Sequence, residues 1–469
     1  MLIASHSLAV RHLPYLRSCA VPDFSPLKSI ALPTKKMRSR TKATASRMFL
    51  KLPNEILQHI ASFLTSDQDL GNFGLACRAI NDRVLGSASS VWRARFQDRY
   101  DLPPGKTNAE LGFEYRVRAL VLPQAIDFKQ EASEHQTLWL EVMQQMLLEI
   151  LTLPLTLESS KTYERICEVL SKSELLEHPL RQTPSELFCA VQLCLTSLAL
   201  ALHDADGKTP KIKNHCTRSE YDPAVVYSLG DDLSTPFVEH EKLDLARLLH
   251  IRGFWQRHML NQAEQTFYET FIRLPETVRP QARKTFNDLE ANIAICWLGY
   301  YSCLHPMPTR REDFEDQETC ADLRGEHIIL PEIMMLTVNP NTEAFWPESC
   351  NKFIPIHEDD KVDRSYFRGI QNTLNGEPGQ HSVFGFTETI AHSYGGIPGW
   401  MRVCLTICEG PRDDSDDDRD DDDPSQESGG LWVHGYEGVV LPGGRIMLGR
   451  WIDMKTMDAS GRGPFIFWN

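Results

Sequence analysis

One segment constrains the fold of this chain more than any other. Between residues 50 and 96, apolar side chains recur at helical spacing around turn-forming residues. Pro53 suits the first turn of a helix, where its missing N–H has no hydrogen bond to lose. Beyond it Ile56, Leu57, Ile60, Phe63 and Leu64 fall at three- and four-residue steps and make one apolar stripe. Ser66 and Asp67 are N-cap residues ahead of a short second helix that carries Leu70. Phe73, Leu75, Ala76 and Ile80 pattern a third helix, with Trp92 and Phe96 packing behind it. A unit this small cannot bury so many apolar groups unaided. The stripe needs cover from the rest of the chain or from a partner.

The Leu52-Pro53 opening, the Ile56-Leu57 pair, Ile60, the Phe63-Leu64 pair, Asp69-Leu70, Leu75-Ala76-Cys77-Arg78 and the closing Trp92 together resemble the F-box. The resemblance spans residues 48–98. It implies a three-helix bundle that docks on Skp1 and so joins the chain to a cullin–RING ubiquitin ligase. Carried over position by position, it implies Leu52, Pro53, Ile56, Leu57, Ile60, Leu64, Leu70, Leu75 and Cys77 as the Skp1-facing residues. Ala76 and Ile80 stand where the family often carries Val and an aromatic. Both shrink the apolar surface, but the remaining stripe should dominate at about 25 cal/mol per Å² buried.

From 99 to 310 the pattern is helical and carries no recognisable chemistry. Trp139 to Leu151 is a long amphipathic stretch ended by Pro154, while Leu187–Leu202 and Ala291–Leu304 are apolar nearly all round, as buried helices are. Leu243–Leu260 and Ala263–Leu274 read as two more helices. No fixed-period repeat is present, which argues against a solenoid. His250 and His258 share a helix but lie about 12 Å apart along it, too far for one metal ion. A His203, His215 and Cys216 grouping lacks a fourth ligand, so structural histidines are expected.

Beyond 320 short apolar runs separated by Gly, Pro and Asn read as strands: Ile328–Leu330, Met334–Val338, Val383–Thr387, Arg402–Ile407, Leu431–Val433, Gly438–Leu441, Ile446–Trp451 and Phe465–Trp468. Pro442-Gly443-Gly444 predicts a hairpin over Glu437–Trp451, and strands this close suggest a small sandwich or barrel. The tail from Tyr436 to Trp451, closing in Gly463-Pro-Phe-Ile-Phe-Trp468, resembles the C-terminus of a group of fungal F-box proteins. If this module receives a substrate, Trp400, Tyr436, Trp451 and Trp468 are sensible anchors, with Arg445 or Arg450 facing a carboxylate or phosphate. The alternative for each aromatic is a place in the sheet's own core.

Charge is unevenly placed. Residues 1–47 hold nine Lys and Arg against Asp23, so the remainder carries −23 of a net −15. The basic arm reads as a solvated extension; its composition also suits a transit peptide, and Lys35–Arg40 a nuclear import patch. Residues 409–430 form an acidic insertion with nine Asp, too self-repelling to pack. The overall acidity excludes a nucleic-acid-coating role, and no apolar run reaches the roughly 20 residues a membrane span needs. Twelve scattered cysteines without a CxxC pair point to reduced thiols in the cytoplasm or nucleus.

A cupin-like metal enzyme built on His357, Glu388 and His392 is the competing reading, but no His-x-His pair supports it, and neither a nucleophile elbow nor a nucleotide loop is present. The expectation is an α+β protein: arm, F-box (48–98), mainly helical middle (99–310) and β-rich recognition module (320–469). It acts as the substrate-recognition subunit of a ligase, with Skp1, the cullin–RING pair and an unknown protein as partners. Catalytic residues, cofactor, metal, nucleic acid and membrane are all expected to be absent. An F-box protein working outside any ligase is the nearest alternative.

Overall fold

The computed structural model describes residues 51–130, 132–152, 160–177, 184–201, 209–228, 237–239, 242–264, 267–280, 293, 296–304, 328–329, 334–340, 346–355, 364–373, 381–409, 431–454 and 461–469. The basic arm, the acidic run 410–430, His203 and His357 lie outside these residues. Two compact units divide the chain, residues 1–57 and 58–469. In the first, the described residues lead through Leu52-Pro53 into helix α1 (Asn54–Ser62), where the Leu57 N–H donates to the Pro53 carbonyl at 3.2 Å. Pro53 thus opens the helix, as its fixed φ favours.

The second unit continues with α2 (Asp67–Leu75), α3 (Arg78–Val84), α4 (Ser90–Arg99), α5 (Asn108–Val121), α6 (Glu134–Thr152), α7 (Lys161–Leu170), α8 (Glu186–Cys194), α9 (Thr196–Leu200), α10 (Thr209–Cys216), α11 (Pro223–Val226), α12 (Leu245–Leu260) and α13 (Tyr268–Arg273). Side-chain caps set several starts. Ser66, Ser160 and Ser185 cap α2, α7 and α8, and Thr107 with Glu110 makes a reciprocal capping box on α5. The Leu187–Leu202 run is not one helix. It breaks at Leu195, whose N–H reaches back to the Val191 and Gln192 carbonyls, each at 3.2 Å. At the centre, α12 buries Leu248, Ile251, Phe254, Trp255 and Met259 completely.

Eight strands of the described residues make one barrel: β1 (Cys296–Tyr301), β2 (Met334–Pro340), β3 (Arg364–Thr373), β4 (His381–Thr389), β5 (Met401–Glu409), β6 (Leu431–Val440), β7 (Ile446–Asp453) and β8 (Arg462–Trp468), while Cys303–Leu304 pairs with Ile328–Ile329 in a two-stranded sheet of its own. Each pairs antiparallel with the next, and β8 returns to β1, so the sheet closes as an up-and-down barrel without a free edge. The expected strands Leu431–Val433 and Gly438–Leu441 are parts of one strand, β6, which ends at Val440 and has a bulge between Trp432 and His434. The 437–451 hairpin is present, with Glu437 opposite Arg450 and positive φ at Gly443 and Gly444.

Two strands corrected the sequence reading. Ala291–Leu304, expected as a buried helix, supplies β1, so the barrel begins upstream of residue 320. An apolar run covered on both faces does not reveal its period: Trp297 points into the barrel while Tyr300 packs on the helices. Strand β3 had no strand signal, because its chief inward apolar residue is Phe367 and Ile370 on its other face is 42% exposed.

Side chains fill the barrel. Trp297, Leu336, Phe367, Leu405, Tyr436, Trp451, Phe465 and Phe467 form its interior. The rings sit where glycines make room: Gly438 faces Gly449 across β6 and β7, and a Cβ at Gly449 would come within 2.6 Å of the Phe465 ring. Outside, Tyr300, Val439, Leu448, Ile466 and Trp468 join the helical core. The β4–β5 loop plugs into the helices, with the Gly395 N–H on Glu186 at 2.6 Å and the Tyr394 hydroxyl accepting from the Leu243 N–H at 2.6 Å. The helical middle and the barrel therefore share one continuous core.

Candidate functional site

Helices α2 to α5 hold the first candidate surface. Arg95 on α4 is 5% exposed and donates to the carbonyls of Leu64, Thr65 and Ser66, tying down the turn before α2. Asp67, the first residue of α2, accepts from the Tyr115 hydroxyl of α5 at 2.8 and 3.0 Å, with Arg99 at 3.7 Å. Burial, and then the Asp67 hydrogen bond, raise the Tyr115 pKa above the ordinary phenol value. Gly112 of α5 packs on the Trp92 ring too closely for a Cβ. These contacts hold α2 and its apolar side chains on the helices that follow.

What that scaffold presents is apolar. Phe63 is 72% exposed and Leu75 67%, the two most exposed large apolar side chains among the described residues. Ile60, Leu64 and Cys77 are half-buried, and Leu70 is buried. In the first unit Pro53 is exposed, Ile56 is 45% exposed, Leu52 is half-buried and Leu57 is fully buried. An outward set and a core set thus divide the nine sequence candidates, and Phe63, counted only in the apolar stripe, joins the outward set. Its spacing from Ile56 and Ile60 was the available signal, since i, i+4 and i+7 share one helical face.

Residues 49–98 match the F-box-like family. No curated protein and no solved structure matches the chain. Helices α2 to α4 are short, and α4 joins the helical core through Trp92 and Phe96, which share that core with Leu111 and Tyr115 of α5. The C-terminal module after the F-box is β-rich, as the sequence implied.

The C-terminal candidates lie mostly inside. Trp400, Tyr436, Trp451 and Trp468 are 3% exposed or less. Trp451 donates to the Ser302 carbonyl, Trp468 to that of Val278 and Trp400 to that of Ile397, each at 2.7–2.8 Å. All four are core residues in this fold. Arg450 is buried on the outer face of the barrel and donates to Glu437 at 2.9 Å, while Arg402 donates to the other Glu437 oxygen at 3.0 Å. Glu388 lies on the far side of Arg402 and pairs with Arg364 at 3.3 Å. Burial opposes the Arg402 charge, yet Cys404 and the Glu437 and Glu388 carboxylates raise its pKa above the ordinary guanidinium value. The row Arg364–Glu388–Arg402–Glu437–Arg450 is an ionic belt across five strands, β3 to β7.

Arg445 is different. It is half-buried in the turn just ahead of β7 and lines a cavity of about 40 Å³ whose other walls include Leu147 of α6, Tyr163 and Ile166 of α7, Leu198 of α9 and Pro442 of the hairpin turn. Burial lowers the Arg445 pKa from its ordinary value. Two of the three enzyme candidates, Glu388 and His392, lie in described residues. Glu388 is engaged by Arg364, His392 is exposed on the β4–β5 loop against Tyr394, and no three His, Cys, Asp or Glu among the described residues could hold a metal. His258 is fully buried with its Nε2 2.7 Å from the Tyr221 hydroxyl, and the His250 Nδ1 accepts from the Asp222 N–H at 3.2 Å. Both are structural.

Proposed function

We propose that this protein is an adaptor of a cullin–RING ubiquitin ligase, docking on Skp1 through its F-box and presenting a bound protein for ubiquitination. The observation that carries the reading is the exposed apolar set of the F-box, Phe63 and Leu75 above all, on helices that match the F-box-like family. Apolar side chains held outward on a rigid body are interface residues, each adding roughly 1.5–3 kcal/mol when a partner buries it. The Tyr115 hydroxyl on Asp67 ties α2 to α5 of the helical core, so a substrate held by that core keeps a set distance from the face that carries Phe63 and Leu75. Proximity then does the catalytic work: a target lysine is held near a ubiquitin-charged conjugating enzyme that the RING subunit supplies. This chain contributes position and no reacting group.

The test is co-expression of the full chain with Skp1, followed by addition of the cullin–RING pair. Phe63→Glu and the pair Leu52→Ala with Pro53→Ala are the controls. A co-eluting complex that contains the cullin and is lost in both variants supports the adaptor reading, with Phe63→Glu melting like the parent because that ring is outside the core. Skp1 binding without the cullin would move the protein out of the ligase, and no Skp1 binding would end the proposal.

A further inference from the structure

Three outward residues of β3 are each incomplete, and giving them a protein occupant rests on the reading of the chain as a substrate receptor. Phe367 points into the barrel, so Arg368, Ile370 and Asn372 lie on the outer face. The Arg368 guanidinium is half-buried over the Phe384 ring, 5.4 Å from its centroid. Its Nε is buried without a hydrogen-bond partner, and no carboxylate pairs with it among the described residues. Arg364, four residues earlier on the same face, has Glu388 at 3.3 Å. Ile370 is 42% exposed, and the Asn372 Oδ1 is buried without a donor among the described residues. A charge that has lost part of its water and gained no partner is costly to keep. An aliphatic side chain between two such polar groups repeats the layout of an interface, apolar at the centre and polar around it.

The flanking strands leave this row open. Thr337 of β2 and Ser382 of β4 stand opposite Ile370, and both are short. The barrel is closed, so it offers no strand edge here and a partner meets side chains instead of backbone. Opposite Arg368 are Asn339 and Phe384, which carry no charge, so the complement of the face is an anion. One guanidinium matches one carboxylate, whereas a phosphate dianion calls for a cluster of arginines and a nucleic acid for a row of cations. Arg368 and Ile370 are two residues apart, about 7 Å along the strand. Alternate side chains of an extended peptide have the same spacing.

We propose that this outer face of β3 is the substrate-docking surface, and that it takes an extended acidic segment of a partner protein in which Asp or Glu and an aliphatic residue stand two apart. The carboxylate lies on Arg368 and the aliphatic side chain on Ile370.

The experiment is photo-crosslinking of the full chain with degenerate nonapeptide pools whose fixed core is Glu-x-photoleucine, with Gln, Lys or phosphoserine replacing Glu in the matched pools. The Glu pool should label the protein about tenfold or more strongly than the Gln pool, the difference expected for one charge-assisted hydrogen bond, and mass spectrometry should place the adduct on β2, β3 or β4. Arg368→Gln should bring the Glu and Gln pools level, and Arg368→Glu should turn the preference to the Lys pool. Ile370→Ser should cut labelling while leaving the preference for Glu, and because Ile370 is exposed this variant keeps the test open if an Arg368 variant unfolds. Equal labelling by the Glu and Gln pools, an adduct elsewhere on the chain, stronger labelling by the phosphoserine pool or no labelling at all would overturn the proposal. So would a gain for the Gln pool when the nine aspartates between 413 and 423 are changed to Asn, since the chain's own acidic run would then be the occupant. Self-association that Ile370→Ser abolishes would overturn it too, by making a second copy the occupant. The assay needs neither Skp1 nor the cullin, so a failed docking face and a failed ligase reading are told apart.

Discussion

Replacing Glu437 by Gln would take the charge from the centre of the ionic belt with almost no change in shape. Its carboxylate has no exposure and answers two guanidinium groups, Arg402 at 3.0 Å and Arg450 at 2.9 Å, both with side chains 4% exposed. Breaking a buried ion pair by removing one partner costs about 3–5 kcal/mol, because the remaining charge stays desolvated. Arg402 keeps Glu388 beside it, so a value of about 3 kcal/mol is expected. For a unit of roughly 400 residues, at about 2.1 cal/mol/K per residue, that corresponds to a fall in Tm of about 3–4 °C. Scanning calorimetry and urea unfolding should agree on it. The companion variant, Arg402→Met with Glu437→Leu and Arg450→Met, exchanges the whole triad for apolar groups of similar volume and should be near neutral. A Glu437→Gln protein within about 1 kcal/mol of the parent would refute the reasoning, since it would mean that water reaches these charges.

Tyr115→Phe removes the one hydroxyl proton that Tyr115 shares between the two Asp67 carboxylate oxygens. It should cost about 1.5–3 kcal/mol and speed amide hydrogen exchange in α2 while leaving that of the barrel strands unchanged. Gly449→Ala puts a methyl 2.2 Å from the Glu437 carbonyl oxygen and 2.6 Å from the Phe465 ring, so it should cost at least about 1–3 kcal/mol in urea unfolding. His258 gives a pH dependence: burial, and then Arg257, pull its pKa down to about 3, whereas the unfolded chain takes up the proton near pH 6.5. Below that value the unfolded state binds the extra proton, so stability falls by about 1.4 kcal/mol per pH unit until the folded value is reached. Urea unfolding between pH 7 and 5 should show this slope, and His258→Gln should flatten it by that amount.

The F-box was legible because its signal is local. Pro53 ahead of α1, the stripe through Leu57 and Ile60 and the Ser66 cap all act within one or two helical turns and stand where the sequence placed them, whereas Phe73 and Leu75, expected in a third helix, belong to α2. Strand β1 was not legible because nothing within Cys296–Tyr301 distinguishes a buried strand from a buried helix. Its identity is decided by β8 and β2, far away in the chain, which flank it. The aromatic candidates failed to separate from the core for a related reason. Trp451 and Tyr436 alternate correctly on their strands, but which face of the sheet is inside depends on closure of the barrel, and closure is a property of all eight strands together.

Closure also decides where a ligand can be met. Phe465 over Gly438 and Gly449, and Phe467 over Gly299, fill the space inside the strands, so the barrel interior has no room for a ligand. One outer face is committed to the helices through Tyr300, Leu448 and Trp468, and the belt from Arg364 to Arg450 lies across another part of the outer face. The β6–β7 turn is held by Asn469, and Arg445 beside it lines a cavity together with Leu147 of α6, Tyr163 of α7 and Leu198 of α9. Of the two arginines that the hairpin sequence offered, Arg450 pairs with Glu437 within the belt on the outer face, and Arg445 lines the cavity against the helices.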